Sequence, residues 1–338
     1  MSSPFVHHNG EVRLVIQIPC FNEAAALPGT LADLPRAVPG FEEVLWLIVD
    51  DGSTDATAEI AKAHGADVVV KLTQNKGLAV AFQAGLDASL QLGADVIVNT
   101  DADNQYSAED IPRLVEPITQ GNADLVIGTR DIANHSEFSF LKKCLQRLGS
   151  WVVRQASATD VSDVTSGFRA YSREAALQAN VVSQFTYTLE TLIQAGRSDL
   201  AVADVPIKVN PTTRPSRLFR SKRQYVRRSA GTISRVYAMH QPLRVFNVPA
   251  ALFGIAGLAL FGRFGWFYLR SGGEGHVQSL IVGAVCLLMA MQMLMLGVLA
   301  DLLRSNRVIG ERVLRRVRNI ELTIAPHPNP GVEPPDEN

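Results

Sequence analysis

Apolar residues recur along the first two-thirds of the chain in short runs, separated by longer mixed segments. The runs "VRLVIQI", "VLWLIVD", "DVVVKL", "DVIVNT" and "DLVIGT" have the length and branched composition of buried strands. Between them, segments such as "DATAEIAKAHG" and "GLAVAFQAGLDASLQLG" space their apolar residues as one face of a helix. Strands alternating with helices predict an α/β layer built on a mainly parallel sheet. Ligands of such sheets bind beyond the carboxyl ends of the strands. Polar signatures stand at those ends: "PCFNE" after the first run, "DDGSTD" at the second, "DADNQ" at the fourth and "GTR" at the fifth.

The last third follows another pattern. Leu280 to Ala300 holds 21 residues without a charge, and Val245 to Gly262 holds 18. Each is long enough to cross a hydrocarbon core as a helix, and a short linker, "RSGGEGH", joins them. Trp266, Phe267 and Tyr268 fit an interfacial aromatic belt, towards which Arg263 would snorkel. The competing reading is a helical hairpin buried in a soluble protein. Arg235 and Arg244 precede the first span, and Arg304, Arg307, Arg312, Arg315 and Arg316 follow the second. By the positive-inside rule both ends are expected in the cytoplasm.

Composition narrows the function. The 338 residues carry a net charge of −1, so no global field points to nucleic acid. Positive charge is concentrated locally instead, from Arg214 through Lys222 and Arg223 to Arg235, with no acid between. Cys20, Cys144 and Cys286 are too far apart for a zinc site and form no disulfide framework. The N-terminus has no apolar signal region, and the Pro-rich tail "APHPNPGVEPPDEN" reads as disordered. No G-x-G-x-x-G follows the first run and no G-x-x-x-x-G-K-[ST] occurs, which disfavours a dinucleotide dehydrogenase and a P-loop enzyme.

The chemistry concentrates in "NTDADNQYSAED", Asn99 to Asp110. Ser107 and Asp110 have the spacing of a capping box for a following helix. Asp101 and Asp103 precede that cap, and carboxylates so close repel unless a cation or donors stand between them. They fit either a site for Mg²⁺ or Mn²⁺, shared with phosphates, or a solvated acidic turn. Asp50 and Asp51 suit either recognition of a base or ribose, or the turn that "DGSTD" itself favours. Glu190, in "FTYTLETLIQAG", is a candidate acid on a helix or a surface or salt-bridge residue.

"IPCFNE", "VDDGSTD", "NKGLAVAFQAG", "DADNQ", "GTR" and "TSGFRAYSRE" occur in that order. Together they resemble family 2 glycosyltransferases of the GT-A fold, above all dolichol-phosphate mannose synthases and bacterial polyprenyl-phosphate glycosyltransferases. The resemblance covers roughly residues 12 to 235. It implies a Rossmann-like, mainly parallel GT-A domain over residues 1–212, then a basic juxtamembrane amphipathic segment, 213–241. A two-helix transmembrane hairpin would occupy 242–305, with spans at about 243–269 and 277–303, and a cytoplasmic basic and then disordered tail 306–338.

It also implies a UDP- or GDP-sugar donor, Mg²⁺ or Mn²⁺, and a polyprenyl phosphate acceptor at the cell membrane. Asp101, Asp103 and Gln105 match the metal motif. Pro19, Phe21, Asn22, Glu23, Asp50, Asp51, Lys76, Asp101 and Ala102 match the nucleotide-sugar pocket, although Tyr is common where Phe21 stands. Asp103, Arg130 and Asp163 are the expected catalytic residues, with Arg130 beside the phosphates. Asp163 also matches the acceptor-side loop with Ser166, Gly167, Phe168 and Arg169, and Arg214, Lys222 and Arg223 are expected near the lipid phosphate. Rival readings are a processive polysaccharide synthase, for which "QYVRR" lacks the expected Trp, and a non-catalytic membrane scaffold. Two spans also leave helix faces for packing between copies, a possible homo-oligomer.

Overall fold

The computed structural model describes residues 12–130, 161, 163–181, 187–198, 200–210, 241–271 and 277–324. The chain forms two units, one comprising Met1–Val226 with Arg312–Asn338, the other Arg227–Glu311. Residues 213–240 of the basic segment, with Arg214, Lys222 and Arg223, lie outside the described residues, as do the hairpin linker at 272–276 and the tail from 325.

The first unit is an α/β layer. Strands β1 (Arg13–Cys20), β2 (Glu43–Asp50), β3 (Val68–Lys71), β4 (Val96–Asn99), β5 (Leu125–Thr129), β6 (Arg169–Ser172) and β7 (Val202–Pro206) make one sheet in the order β3-β2-β1-β4-β6-β5-β7. All neighbours run parallel except β6, which is antiparallel to both β4 and β5. The five strands expected from the apolar runs are all present. Their side chains are buried on both faces in the central strands, which is why they read as continuous rather than alternating runs.

Helices α1 (Leu27–Asp33), α2 (Thr57–Ala63), α3 (Leu78–Gln91), α4 (Ile111–Thr119), α5 (Arg173–Gln178) and α6 (Tyr187–Arg197) complete the layer. Leu14, Ile16 and Ile18 of β1 and Val96 and Val98 of β4 form the centre of a core with Leu27, Leu31, Ile111, Leu114 and Phe168. One local expectation is corrected. Ser107 does occupy the N-cap of a short 3-10 turn, Ala108–Asp110, but its side chain makes no capping bond. The Asp110 carboxylate pairs instead with Arg113 and accepts from the Lys208 backbone N–H, because the chain after β7 passes within reach.

Two long helices follow, α7 (Pro242–Ser271) and α8 (Val277–Ile324). Both are long and apolar enough to cross a membrane, with mean hydropathy of 1.9 and 2.3 over their most apolar windows. Few residues of either window are buried, contrary to a core hairpin of a soluble protein. They pack through small residues: a Cβ on Gly257 would meet the Leu287 side chain at 2.8 Å. Helix α8 runs past the arginines that follow its apolar part, as far as Ile324. Its last turns belong to the first unit, where Arg315 pairs with Glu174 of α5 at 2.8 Å. Arg318 donates to the Ala179 carbonyl and lies 3.4 Å from Asp87 of α3.

Candidate active site

The carboxyl ends of β1, β2, β4 and β5 lie on one rim because the strands are mutually parallel or share the β6 bridge. That places the four polar clusters side by side. At the β1 end Asn22 adopts φ 54°, a left-handed turn that asparagine tolerates. Its Oδ1 accepts from the Thr54 backbone N–H at 2.9 Å, and its own N–H donates to Ser53 Oγ. The β1 turn is thereby stitched to the β2 turn. Phe21 stands beside it, 41 % exposed, while Pro19 is buried in β1.

The β2 turn divides its two aspartates. Asp51 accepts from the Lys76 and Gly77 backbone N–H groups, both at 2.8 Å, and so seals the start of α3. Asp50 accepts from Ser53 N–H through Oδ1. Its Oδ2 is buried without a hydrogen bond, with Lys71 Nζ 3.9 Å away. A buried carboxylate oxygen left so is an acceptor awaiting a donor. The turn that "DGSTD" favours is formed: Asp51 and Asp55 build it, the latter accepting from Thr57 N–H and Ala24 N–H, while Asp50 keeps one oxygen without a hydrogen bond. Gly52 is required here, since with φ +69° its Cβ would lie 2.4 Å from the Gln74 carbonyl carbon.

The β4 end carries Asp101 and Asp103. Asp103 Oδ1 accepts from the Gln105 backbone N–H at 3.1 Å. Asp101 is half-buried, and burial followed by the Asp103 charge pushes its pKa up to about 7, against a smaller opposing pull from Arg130. The same surroundings push Tyr106 up to about 12, through burial and then Asp101. Buried Ala102 gives its carbonyl to Thr30 Oγ1 at 2.8 Å, which pins the strand end to α1.

Opposite lies the segment Asp163–Arg169. Arg130, at the β5 end, forms a two-pronged pair with Asp163, Nε to Oδ2 at 2.7 Å and Nη2 to Oδ1 at 3.2 Å, and adds Thr165 Oγ1 at 3.0 Å. Burial opposes both charges. The hydrogen bonds between them prevail, so Asp163 is held below the usual carboxylate range and Arg130 above the usual guanidinium value.

Gly167 lies against the Asp101 carboxylate. A Cβ there would meet Tyr187 Oη at 2.8 Å and the two Asp101 oxygens at 3.2 and 3.3 Å. Its N–H donates to Tyr106 Oη, and its carbonyl accepts from Asn99 Nδ2 at 2.8 Å. Phe168 is buried against Tyr106, ring centroids 5.2 Å apart, and Ser166 is fully buried.

Arg169, expected on the acceptor-side loop, has its guanidinium taken up by backbone and Thr191. It is fully buried and donates to the carbonyls of Val164, Ser166 and Thr188 and to Thr191 Oγ1. The guanidinium ties the segment to α6. Glu190 of α6 is itself buried rather than at the surface.

Sequence reasoning missed the polar network beneath this rim. Gln17 Nε2 donates to Asn99 Oδ1 at 2.9 Å, and Asn99 Nδ2 reaches both Gly167 O and Tyr187 Oη. Its only trace in the sequence is a polar residue within each of two otherwise apolar strands.

Among the described residues no group of three or more His, Cys, Asp or Glu side chains gathers into a metal cluster. The set on offer is two carboxylates and the Gln105 amide. That is a fit for a hard divalent ion completing its shell with water and phosphate oxygens, and Asp101, disfavoured as an anion by burial and by Asp103, is the group such an ion would relieve.

The sequence of this unit is similar to known proteins. Residues 15–178 match the family model described as glycosyl transferase family 2. The chain belongs to that family and is a glycosyltransferase. An undecaprenyl-phosphate mannosyltransferase of Micrococcus luteus is 32 % identical over 58 % of this chain and 83 % of its own length. The glycosyltransferase AglJ of Haloferax volcanii is 28 % identical, over 90 % of this chain and 97 % of its own. The crystal structure of glucosyl-3-phosphoglycerate synthase from Mycobacterium tuberculosis with Mn²⁺, UDP and phosphoglyceric acid is similar with TM-score 0.52 and 20 % identity, over 68 % of this chain and 79 % of that one. It has the same fold.

Proposed function

We propose that the protein transfers one sugar from a nucleotide-sugar donor to a polyprenyl phosphate at the cytoplasmic face of a membrane. The observation that carries this reading is the pairing of Asp101 and Asp103, at one strand end, with the Arg130–Asp163 ion pair and Gly167 across the same rim. The relative named an undecaprenyl-phosphate mannosyltransferase supports the acceptor, and the two apolar helices support the membrane.

Phe21 offers a ring face for a base, and Asp50 Oδ2 an acceptor for a ring N–H or ribose hydroxyl. Asn22, Ser53 and Thr54 lock that wall, with Pro19, Glu23 and Asp51 shaping it. Exposed Lys76, at the start of α3, brings a positive charge towards the diphosphate. Asp101, Asp103 and Gln105 would hold Mg²⁺ or Mn²⁺. When bound, such an ion stabilises the charge developing on the leaving diphosphate.

An oxygen of the lipid phosphate attacks the anomeric carbon, the bond from that carbon to the diphosphate breaks, and the nucleoside diphosphate departs with the electron pair. The attacking oxygen is already an anion, so no strong general base is needed. Asp163 holds the Arg130 guanidinium in place, and Arg130 places positive charge beside the reacting phosphates. Ser166, Gly167 and Phe168 fix the acceptor side against Asp101, with Arg169 bracing them from within. Arg214, Lys222 and Arg223 would guide the lipid phosphate along an anionic leaflet.

The test is a donor panel: purified full-length protein, polyprenyl phosphate, UDP- and GDP-sugars, and Mn²⁺ or Mg²⁺, read by mass of the lipid product. One sugar added from one donor class supports the reading. Ladders of added sugars would favour the processive alternative, and donor binding without turnover the scaffold.

A further inference from the structure

Helix α8 is longer than a membrane span needs. Its 48 residues reach ~72 Å at 1.5 Å per residue, against ~30 Å of hydrocarbon. Charge begins at Asp301 and continues through Arg304, Arg307, Arg315, Arg316 and Arg318. The C-terminal part of the helix is therefore outside the apolar layer.

That part has two distinct faces. Leu314, Arg315, Arg318 and Leu322 are half-buried, and the two arginines are engaged with α5 and α3. Val313, Val317, Ile320 and Ile324 point elsewhere and are 55, 44, 57 and 76 % exposed. Val317 and Arg318, adjacent in sequence, stand about 100° apart around the helix axis. The side gripped by the catalytic unit is thus not the side that carries the apolar stripe.

The stripe is spaced four, three and four residues. That is the d-a-d-a repeat of a coiled-coil seam. A solvated helix face has no use for β-branched residues in that register. The flanks agree: Arg316 precedes Val317 at a g position, Glu321 follows Ile320 at an e position, and both are exposed. In a parallel coil the g residue of one helix faces the e residue five positions on in its neighbour. Here that pair is Arg316 with Glu321, opposite in charge.

We infer that residues 313–324 pack in parallel against the same segment of a second copy of this chain. Insertion into one membrane gives all copies the same orientation, so parallel pairing is the available geometry. Two heptads are too short to associate alone, but spans confined to one bilayer raise their effective concentration. Self-association of the catalytic units through this seam is independent of which sugar or lipid the enzyme uses.

Single cysteines test it in native membranes holding the full-length chain, with the unsubstituted protein and its Cys20, Cys144 and Cys286 as background. Under mild oxidation Val317→Cys and Ile320→Cys give most of the chain as disulfide-linked dimer, and Asn319→Cys, off the seam, gives little. In the Val317→Cys background, Arg316→Glu or Glu321→Arg alone abolishes the cross-link by placing like charges opposite, and the double exchange restores it. Retained membrane insertion and retained thermal unfolding temperature show that each variant is folded. Equal cross-linking at 317 and 319, or no recovery in the double exchange, overturns the seam. So does a stripe that labels with lipid-phase probes and never cross-links, which would place it on the membrane.

Discussion

Replacing Arg169 separates a brace from a ligand. Its guanidinium is fully buried at the head of β6 and serves four acceptors: the carbonyls of Val164, Ser166 and Thr188, and Thr191 Oγ1. Arg169→Met keeps much of the side-chain volume and removes every donor. Three buried carbonyls are then stranded at about 1 kcal/mol each, taking the low end of the cost because a carbonyl retains a second lone pair. Relief of the desolvated charge offsets part of this, and a net loss of about 2–3 kcal/mol remains. For a unit of this size that lowers Tm by roughly 5–10 °C. Thermal unfolding of the detergent-purified full chain reads the effect, with nucleoside diphosphate binding and acceptor kinetics measured below the transition. The expected result is a lowered Tm with kcat reduced, because the segment bearing Ser166 and Gly167 loosens. An unchanged Tm with a raised acceptor KM alone would refute the brace and put the guanidinium on the lipid phosphate.

Four further outcomes follow from the same geometry. Asp103→Ala removes transfer by roughly a thousandfold or more, since a Lewis acid supplies several kcal/mol, while fold and membrane binding persist; near-native turnover at low metal would refute the metal assignment. Gly167→Ala sets a methyl 2.8 Å from Tyr187 Oη and beside both Asp101 oxygens, so activity falls even though no functional group is lost, and metal-dependent nucleotide binding measured by calorimetry weakens with it. Asp101 has a folded pKa of about 7 against an ordinary value of 3.8, so in chelator the fold loses stability as pH rises from about 4 to about 7; Asp101→Asn raises Tm at pH 8 and leaves it unchanged near pH 4, and a Tm gain at both would refute the charge as its cause. A cysteine at Ser271 reacts with an impermeant reagent from outside sealed cells, and labelling only after lysis would reverse the topology.

What the sequence made legible follows from how local each signal is. Strands β1 to β5 were readable because central strands covered on both faces must be apolar throughout. β6 and β7 were not, because "RAYS" and "VADVP" carry charge and, in β7, a proline, tolerable at a sheet edge. The carboxylates of "DADNQ" stood out by their spacing alone. The partners of Asn99 did not, since Gln17, Gly167 and Tyr187 meet it only through folding across 68 residues or more. Arg169 carried a family motif yet no indication of which way its guanidinium points. Asp50 and Asp51 looked equivalent, and only the approach of the α3 start distinguishes the one that seals a helix from the one with an oxygen left over.

The central claim is that an anionic lipid phosphate accepts the sugar. Its most direct measurement supplies the full-length protein with donor, Mn²⁺ or Mg²⁺, and either polyprenyl phosphate or the matching polyprenol, and follows release of nucleoside diphosphate together with glycolipid. The account predicts stoichiometric release and a glycosyl phosphodiester with the phosphate, and no product with the alcohol. Equal transfer to the alcohol, or none to either with any donor, would contradict it.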